Sequence, residues 1–406
     1  MKYVLLIGDG MADRPLDLLG GKTPLQVSKT PNMDEIAAQG VLGLIKTVSR
    51  KIGKSSDVAI LSILGYDPRK YYTGRGPLEA ASMGVHLEKE QIAFRCNLVT
   101  ADEGSLVDYS AGHISTKEAE VLIAFLNKNL KWDGIKFYPG VSYRHLAVVD
   151  LSESIFSEFD PRLLKCKAPH DVVNQPLEKI LPSGTGNDIF RKLTYESKRL
   201  LDEHEINVVR RELGENPANM AWLWGQGKEP SLPDFGISGA VISAVDVVKG
   251  IGVSCGLSVV DVPGATGYFD TDYNAKAEYA ISSLKEYDFV LVHVEAPDEA
   301  GHIGDVRAKI SAIEDFDEKV VGPILSYIRK QKDYRVCVLP DHATPIDVKT
   351  HVEDMVPFAI YGKGMNRMSG LLFDEMSAKQ SGIVISAGHE LMGHFLSAEF
   401  GKWNAE

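Results

Sequence analysis

Cysteine is scarce in this chain: four in 406 residues, at positions 96, 166, 255 and 337, with no C-x-x-C among them. That excludes a disulfide framework and points to free thiols in a reducing, cytoplasmic setting. No apolar run is long enough to span a bilayer. The first short apolar stretch, 4–7, passes straight into Gly-Asp-Gly without a cleavage site, so no signal peptide is expected. Positive charge is in deficit, 44 Lys and Arg against 56 Asp and Glu, a net charge of −12. Neither nucleic acid nor an anionic membrane is therefore the expected partner. A homo-oligomer stays open. Internal repeats and low-complexity tracts are absent. So are the common phosphate loops. Gly53-Lys54-Ser55 lacks the first glycine of a P-loop. Gly8-Asp9-Gly10 lacks the third glycine of a dinucleotide loop and puts Asp9 where a pyrophosphate would approach.

What is present centres on Asp298-Glu299-Ala300-Gly301-His302. An apolar, β-branched run at 288–294 precedes it and reads as a buried strand. Pro297 suits the first turn of a new helix, which puts Asp298 and His302 on one face, four residues apart. A carboxylate and an imidazole at that spacing can grip one divalent cation; alone the pattern is equally a solvated helix face. Two further strand candidates, 2–7 and 335–339, end at Asp9 and at Asp341-His342, and His351 comes after a short loop. In a parallel sheet the carboxyl ends lie along one edge, where ligands bind. Carboxylates crowded there repel one another unless a cation sits between them. A mixed Asp and His set favours Mn²⁺, Zn²⁺ or Fe²⁺ over Mg²⁺ or Ca²⁺.

Elsewhere the chain alternates as an α/β protein. Thr30-Pro31 opens a helix that stops at Gly40, and 41–48 reads as a strand. Ser55-Ser56 stands at the head of an apolar helix, a place that suits either a plain serine cap or a phosphate. Arg75 lies in a glycine-rich turn and Arg95 in an alternating strand. Ser115-Thr116-Lys117-Glu118 is a capping box that opens a helix to about 129, and 137–150 reads as a two-stranded piece. Helices are expected over 188–213, 237–250, 274–284 and 308–330, the last with a solvated acidic face at Glu314, Asp315 and Glu318, and a strand over 253–262. The expected organisation is a catalytic core of 1–85 with 216–406, and an inserted α+β domain with a connecting helix, 86–215.

Taken together these motifs resemble the alkaline phosphatase superfamily, and more closely the archaeal-type branch of cofactor-independent phosphoglycerate mutases. The marks run along nearly the whole chain: Gly8-Asp9-Gly10, Thr30-Pro31-Asn32-Met33-Asp34, Ser56-Asp57-Val58-Ala59, Leu64-Gly65-Tyr66-Asp67-Pro68, Gly74-Arg75-Gly76, Asp298 with His302, Asp341-His342 and His351 with Val356-Pro357. The resemblance implies an α/β, alkaline-phosphatase-like core with a mostly parallel sheet between helices, and a smaller α+β inserted lid domain. It implies two divalent metal ions, Mn²⁺ foremost, with Zn²⁺, Co²⁺ or Mg²⁺ as alternatives. Asp298, His302 and His351 would hold one ion; Asp9, Asp341 and His342 the other, together with Ser56, which the family pattern selects over Ser55 as nucleophile. The substrate implied is a small phosphorylated anion, 3-phosphoglycerate, with Arg75, Arg95 and His113 binding it. The segment Asp108-Tyr109-Ser110-Ala111-Gly112-His113 is without the arginines that such mutases tend to carry. In this it is similar to bacterial relatives proposed to be homoserine kinases, where Asp108 would meet the substrate amine. That reading, and a metal-dependent phosphatase, are the alternatives.

Overall fold

Several short runs of this chain are apolar on both faces, such as Phe-Val-Leu-Val-His-Val at Phe289–Val294, where every residue is buried. Strands of that kind belong inside a parallel sheet covered by helices on both sides. In the structure, a computed structural model that describes residues 1–156, 159–364 and 368–397, they build an eight-stranded sheet. Its order is Ser258–Val259, Gly239–Ile242, Phe289–Val294, Lys2–Gly8, Tyr334–Leu339, Val356–Gly362, Val41–Ile45 and Val384–Ile385. Val356–Gly362 is antiparallel to both of its neighbours; the other pairings are parallel. The first strand pairs Gly8 with Val294 on one side and Ile7 with Leu339 on the other, so three carboxyl ends finish level. A core of Val4, Leu6, Val290, Val292, Phe316, Ile324 and Val336 packs one face of this sheet.

The chain divides into two units, Met1–Tyr72 with Ser231–Glu406, which contains this sheet, and Thr73–Pro230. The second unit has its own antiparallel sheet. Gln91–Asp102 lies at its centre, flanked by Ser105–Asp108, Arg144–Asp150 and Met220–Gly227, with Ile135–Tyr138 beyond Arg144–Asp150. Its core gathers Phe94, Leu122, Leu126, Phe190 and Leu193. The unit boundaries fall at 73 and 230 rather than at 86 and 215. The helix Arg75–Ser82 packs against Gln91–Asp102, and Met220–Gly227 pairs with the same strand. Neither therefore belongs to the larger sheet.

Three elements differ from the sequence pattern, each for a local reason. The expected helix over 188–213 is two, Asn187–Asp202 and Glu205–Glu212. Asp202 and Glu203 set negative charge at a helix C-terminus, where the dipole opposes it, and the His204 ring caps the next helix by accepting from Ile206 N at 3.2 Å. The small residues of 237–250 form a strand, Gly239–Ile242, and a helix begins only at Asp246, running to Ser254 where a strand was expected. A Cβ on Gly239 would stand 2.8 Å from Leu257 Cδ2, so the small side chain serves strand packing. The helix over 308–330 is interrupted by a π-turn, Asp317–Val321, between Val306–Phe316 and Gly322–Ile328. There the buried Asp317 accepts from Met33 N (2.7 Å) and Asn32 N (3.1 Å) and so caps the helix Pro31–Gln39. Among the described residues no helix is long and apolar enough to cross a membrane.

Gly76 sits on the central strand of the second unit with no room for a methyl group: a Cβ there would lie 2.4 Å from Ala93 O. Gly76→Ala should lower the stability of that unit by about 1–3 kcal/mol, the usual cost of overpacking. Thermal unfolding of the purified variant checks this; an unchanged transition would contradict the packing described.

Candidate metal centre

Three strands that finish level bring the residues just beyond them to one edge of the sheet. Asp9 comes directly after Lys2–Gly8, and its N–H donates to Val294 O at 2.9 Å, tying it to the neighbouring strand. Asp298 lies in the first turn of the helix Ala296–Ile303. Asp341 lies two residues beyond Tyr334–Leu339. Burial leaves Asp9 4 %, Asp298 8 % and Asp341 0 % exposed, so water does little to separate their charges.

The surroundings commit one part of each side chain and leave the other. Asp341 Oδ1 accepts from Gly10 N (3.1 Å) and His342 N (2.8 Å), while its Oδ2 has no hydrogen-bond partner. Asp9 Oδ1 is also without one. Thr344 Oγ1 donates to Asp298 Oδ1 and lies 3.2 Å from His342 Nδ1. His302 Nδ1 lies 3.1 Å from Lys349 O, an acceptor, so Nδ1 donates there and Nε2 is the nitrogen turned to the cluster. Lys349 presents this carbonyl from a left-handed conformation, φ 58°.

The free atoms converge. His302 Nε2 is 3.2 Å from Asp298 Oδ2 and 3.0 Å from His351 Nε2, which is itself 3.5 Å from Asp298 Oδ1. His342 Nε2 is 3.4 Å from Asp9 Oδ1, 3.4 Å from Asp341 Oδ2 and 3.1 Å from Ser56 Oγ. Ligand atoms about 2.0–2.2 Å from one ion, at right or tetrahedral angles, stand roughly 2.8–3.6 Å apart. Every one of these separations lies in that window, so the donor set fits divalent cations. His342 stands between the two groups, with its Nδ1 4.0 Å from Asp298 Oδ1. Among the described residues, Asp298, His342 and His351 form one set with ligand atoms all within 4.8 Å of one another, and Asp9, His293 and Asp341 another.

The electrostatics show the same demand for positive charge. Burial and the carboxylates of Asp341 and Asp298 push the Asp9 carboxyl well above its ordinary range. Burial acts on Asp298 in the same sense, but His302 and His351 outweigh it and hold that carboxyl well below. Burial would lower His302, yet Asp298 draws it up to about 9.

Ser56 begins the helix Ser56–Ile63, and its hydroxyl faces His342. Ser55 is the residue before it, and its hydroxyl donates to Asp57 Oδ1. Geometry thus separates two serines that local sequence does not. Asp57 is buried and accepts from Val58 N (2.9 Å) and from the Tyr72 hydroxyl (2.7 Å).

Arg75, Arg95 and His113 belong to the second unit. Arg75 Nε and Arg95 Nη1 both donate to the buried Glu79, at 2.8 and 2.6 Å, and both guanidinium groups lie over the Trp224 ring. Arg95 is 6 % exposed, whereas a quarter of the Arg75 side chain is accessible. His113 is exposed, with φ 51°, beside the Tyr143 ring. A further arginine reaches the 108–113 segment from far along the chain: Arg210 Nη2 donates to Ala111 O at 3.0 Å. Asp108 accepts from Ser110 N and Oγ, Gly112 N and Asn216 Nδ2, four donors on one carboxylate.

Sequence reasoning passed over His293, Glu295, Lys276, Thr344 and Lys309, all buried around the centre. The available signal was a lone histidine inside an otherwise apolar strand. The lysines gave none, since each reads as the solvated face of a helix.

Metal loading should stabilise the fold, because it neutralises carboxylates that otherwise repel. Mn²⁺ at a hundred times its dissociation constant should add about 2.7 kcal/mol, seen as a rise in Tm over chelator-treated protein. Asp341→Asn should lose most of that rise. Equal transitions with and without Mn²⁺ would show that the cluster holds no ion.

Residues 37–207 match the family model described as 2,3-bisphosphoglycerate-independent phosphoglycerate mutase. A protein of that name from Methanosarcina mazei is 50% identical over 399 residues, covering 97% of this chain and 99% of its own. Another, named as the second such mutase of Methanothermobacter thermautotrophicus, is 51% identical and covers 97% of this chain and 96% of its own. Among solved structures, the cofactor-independent phosphoglycerate mutase of Thermoplasma acidophilum is 28% identical, with a TM-score of 0.64, over 98% of this chain and 100% of that one. Near-complete coverage at half identity leaves no ambiguity of kinship: the chain belongs to the 2,3-bisphosphoglycerate-independent phosphoglycerate mutase family.

Proposed function

We propose that the protein interconverts 3-phosphoglycerate and 2-phosphoglycerate through a phosphoserine at Ser56. The observation that carries this is the Ser56 hydroxyl, 3.1 Å from His342 Nε2 at the edge of the carboxylate–histidine cluster. As first residue of its helix, Ser56 places a phosphoryl group at the positive end of the helix dipole. Lys54, whose Nζ lies 3.5 Å from His351 O, adds a cation beside it.

Asp9, Asp341, His342 and Ser56 would hold one divalent ion, and Asp298, His302 and His351 the other. When bound, such ions lower the pKa of a serine hydroxyl and offset the charge that grows on the phosphoryl oxygens. Ser56 Oγ forms a bond to phosphorus as the bond from phosphorus to the substrate 3-oxygen breaks, and that oxygen takes a proton. The glycerate turns, its 2-hydroxyl attacks the phosphoserine, and Ser56 regains its proton. Asp57 keeps the Ser55 hydroxyl occupied, so a single hydroxyl is left to react.

In this reading Arg75 meets the substrate carboxylate, since a guanidinium offers a bidentate fork. Arg95 is buried against Glu79, and its part is to hold Glu79 and so set the direction of Arg75. His113 contributes an exposed ring on the same unit. The homoserine kinase alternative needs a carboxylate ready for an amine, and Asp108 is a poor candidate because its oxygens already accept from four donors. Mn²⁺ is the preferred ion on the mixed Asp and His donors. A cytoplasmic place in glycolysis and gluconeogenesis accords with four free cysteines.

Mn²⁺-loaded protein should turn over 3-phosphoglycerate. Ser56→Ala should abolish this while ions still bind, and Ser55→Ala should cost far less. Arg75→Ala should raise KM strongly. Formation of phosphohomoserine from homoserine and ATP, with no turnover of 3-phosphoglycerate under Mn²⁺, Co²⁺ or Zn²⁺, would overturn the proposal. Equal loss in both serine variants would refute the single nucleophile.

A further inference from the structure

A buried polar chain behind Asp9 plays no part in the mechanism above. Lys276, with no exposed surface, donates to His293 O at 3.0 Å and to Glu295 Oε2 at 3.2 Å. Glu295 Oε1 lies 3.1 Å from His293 Nδ1 and accepts from Ser243 Oγ at 3.1 Å. At the other side of the ring, His293 Nε2 lies 3.2 Å from Asp9 Oδ2.

The chain of partners fixes the imidazole. Glu295 is held by Lys276 at Oε2 and by Ser243 at Oε1, and its Oε1 faces His293 Nδ1, so Nδ1 is the ring nitrogen turned to the carboxylate. The imidazole then has its Nε2 directed at the carboxylate edge of the sheet. That nitrogen is completely buried and makes no hydrogen bond of acceptable geometry, and neither do Asp9 Oδ1 or Asp341 Oδ2. Ligand atoms of Asp9, His293 and Asp341 all lie within 4.8 Å of one another. The 3.2 Å between His293 Nε2 and Asp9 falls in the window for two ligands of one ion.

We propose that His293 is itself a metal ligand, binding through Nε2 the cation that Asp9 and Asp341 hold, with Glu295 fixing its ring and Lys276 balancing Glu295. A carboxylate behind a ligating histidine sets its tautomer and orientation and raises its basicity. The donor set at this ion then gains a nitrogen beyond His342, which shifts the site towards metals that favour imidazole. The inference rests on the two-metal reading but not on the identity of the substrate.

The test is metal binding. Metal-stripped wild type, His293→Gln and Glu295→Gln are titrated with Co²⁺ by calorimetry, and proton spectra of the Co²⁺-loaded proteins are searched for paramagnetically shifted imidazole signals. Circular dichroism of the metal-free variants checks the fold. Wild type should show four ligating imidazoles, His293, His302, His342 and His351, rather than three. His293→Gln should remove one set of shifted signals and weaken one of the two binding events by about 10–100-fold or more, and Glu295→Gln should weaken the same event while keeping all four sets. Three sets in wild type would overturn the proposal even if the variant fails to fold. So would a His293→Gln protein that loses affinity yet keeps every shifted signal, since His293 would then only position Asp9. A wild type that binds no Co²⁺ would remove the two-metal reading as well. Loss of 3-phosphoglycerate turnover with unchanged ion binding would touch the proposed function alone.

Discussion

Three carboxylates are held out of water at one edge of one sheet, and most of the surrounding structure answers that fact. Two unit charges 4 Å apart at an effective dielectric near 20 repel by about 4 kcal/mol. The chain arranges counter-groups so that each carboxylate is partly satisfied. Backbone N–H groups take one oxygen of Asp341, Thr344 takes one of Asp298, and imidazoles face the rest. What the protein leaves unsatisfied, Asp9 Oδ1 and Asp341 Oδ2 among it, defines where positive charge must come from outside the chain.

Such an arrangement works only if the loops that carry it cannot relax. Lys309, without exposed surface, donates to Ala12 O (3.2 Å), Asp13 Oδ2 (2.7 Å) and Thr344 O (2.8 Å), and so joins the loop after the first strand to the loop after Asp341. Removing one partner of a buried pair of this kind typically costs about 3–5 kcal/mol. Glu375 extends the brace by accepting from Asp13 N and the Thr23 hydroxyl, and burial pushes its carboxyl up to about 7. Gly10 shows how tightly the loop is drawn: at φ 60° a Cβ there would stand 2.4 Å from Asp298 Oδ1.

The parts legible in the sequence were those written in short-range patterns. Fully apolar runs gave the central strands, and the Asp just beyond each gave the edge on which the site forms. Thr30-Pro31 and the Ser115 to Glu118 box gave helix starts, although Thr30 makes no side-chain cap bond. What stayed hidden was fixed by distant partners. Asp317, in the π-turn of its own helix, caps another 284 residues away in the chain. Lys276 and Lys309 look like surface residues until the tertiary fold buries them. Ser55 and Ser56 are equivalent to local sequence reasoning; the family pattern singles out Ser56, and the physical difference lies in Asp57 against one hydroxyl and His342 against the other.

The two ends of the second unit meet within that unit. Thr73 Oγ1 donates to Lys228 O at 2.6 Å, a Cβ on Gly74 would lie 2.3 Å from Gln226 O, and one on Gly227 would lie 2.2 Å from Thr73 O. For the chain of the larger unit, residues 73–230, once folded, therefore act as a connection of a few residues. Loop closure grows by about 0.6 kcal/mol for each doubling of length, so the difference from an unstructured connection of the same span is roughly 3 kcal/mol. The two ends of 73–230 are thus held by contacts inside the smaller unit, and the stability of that unit becomes a term in the folding of the chain that carries the carboxylates.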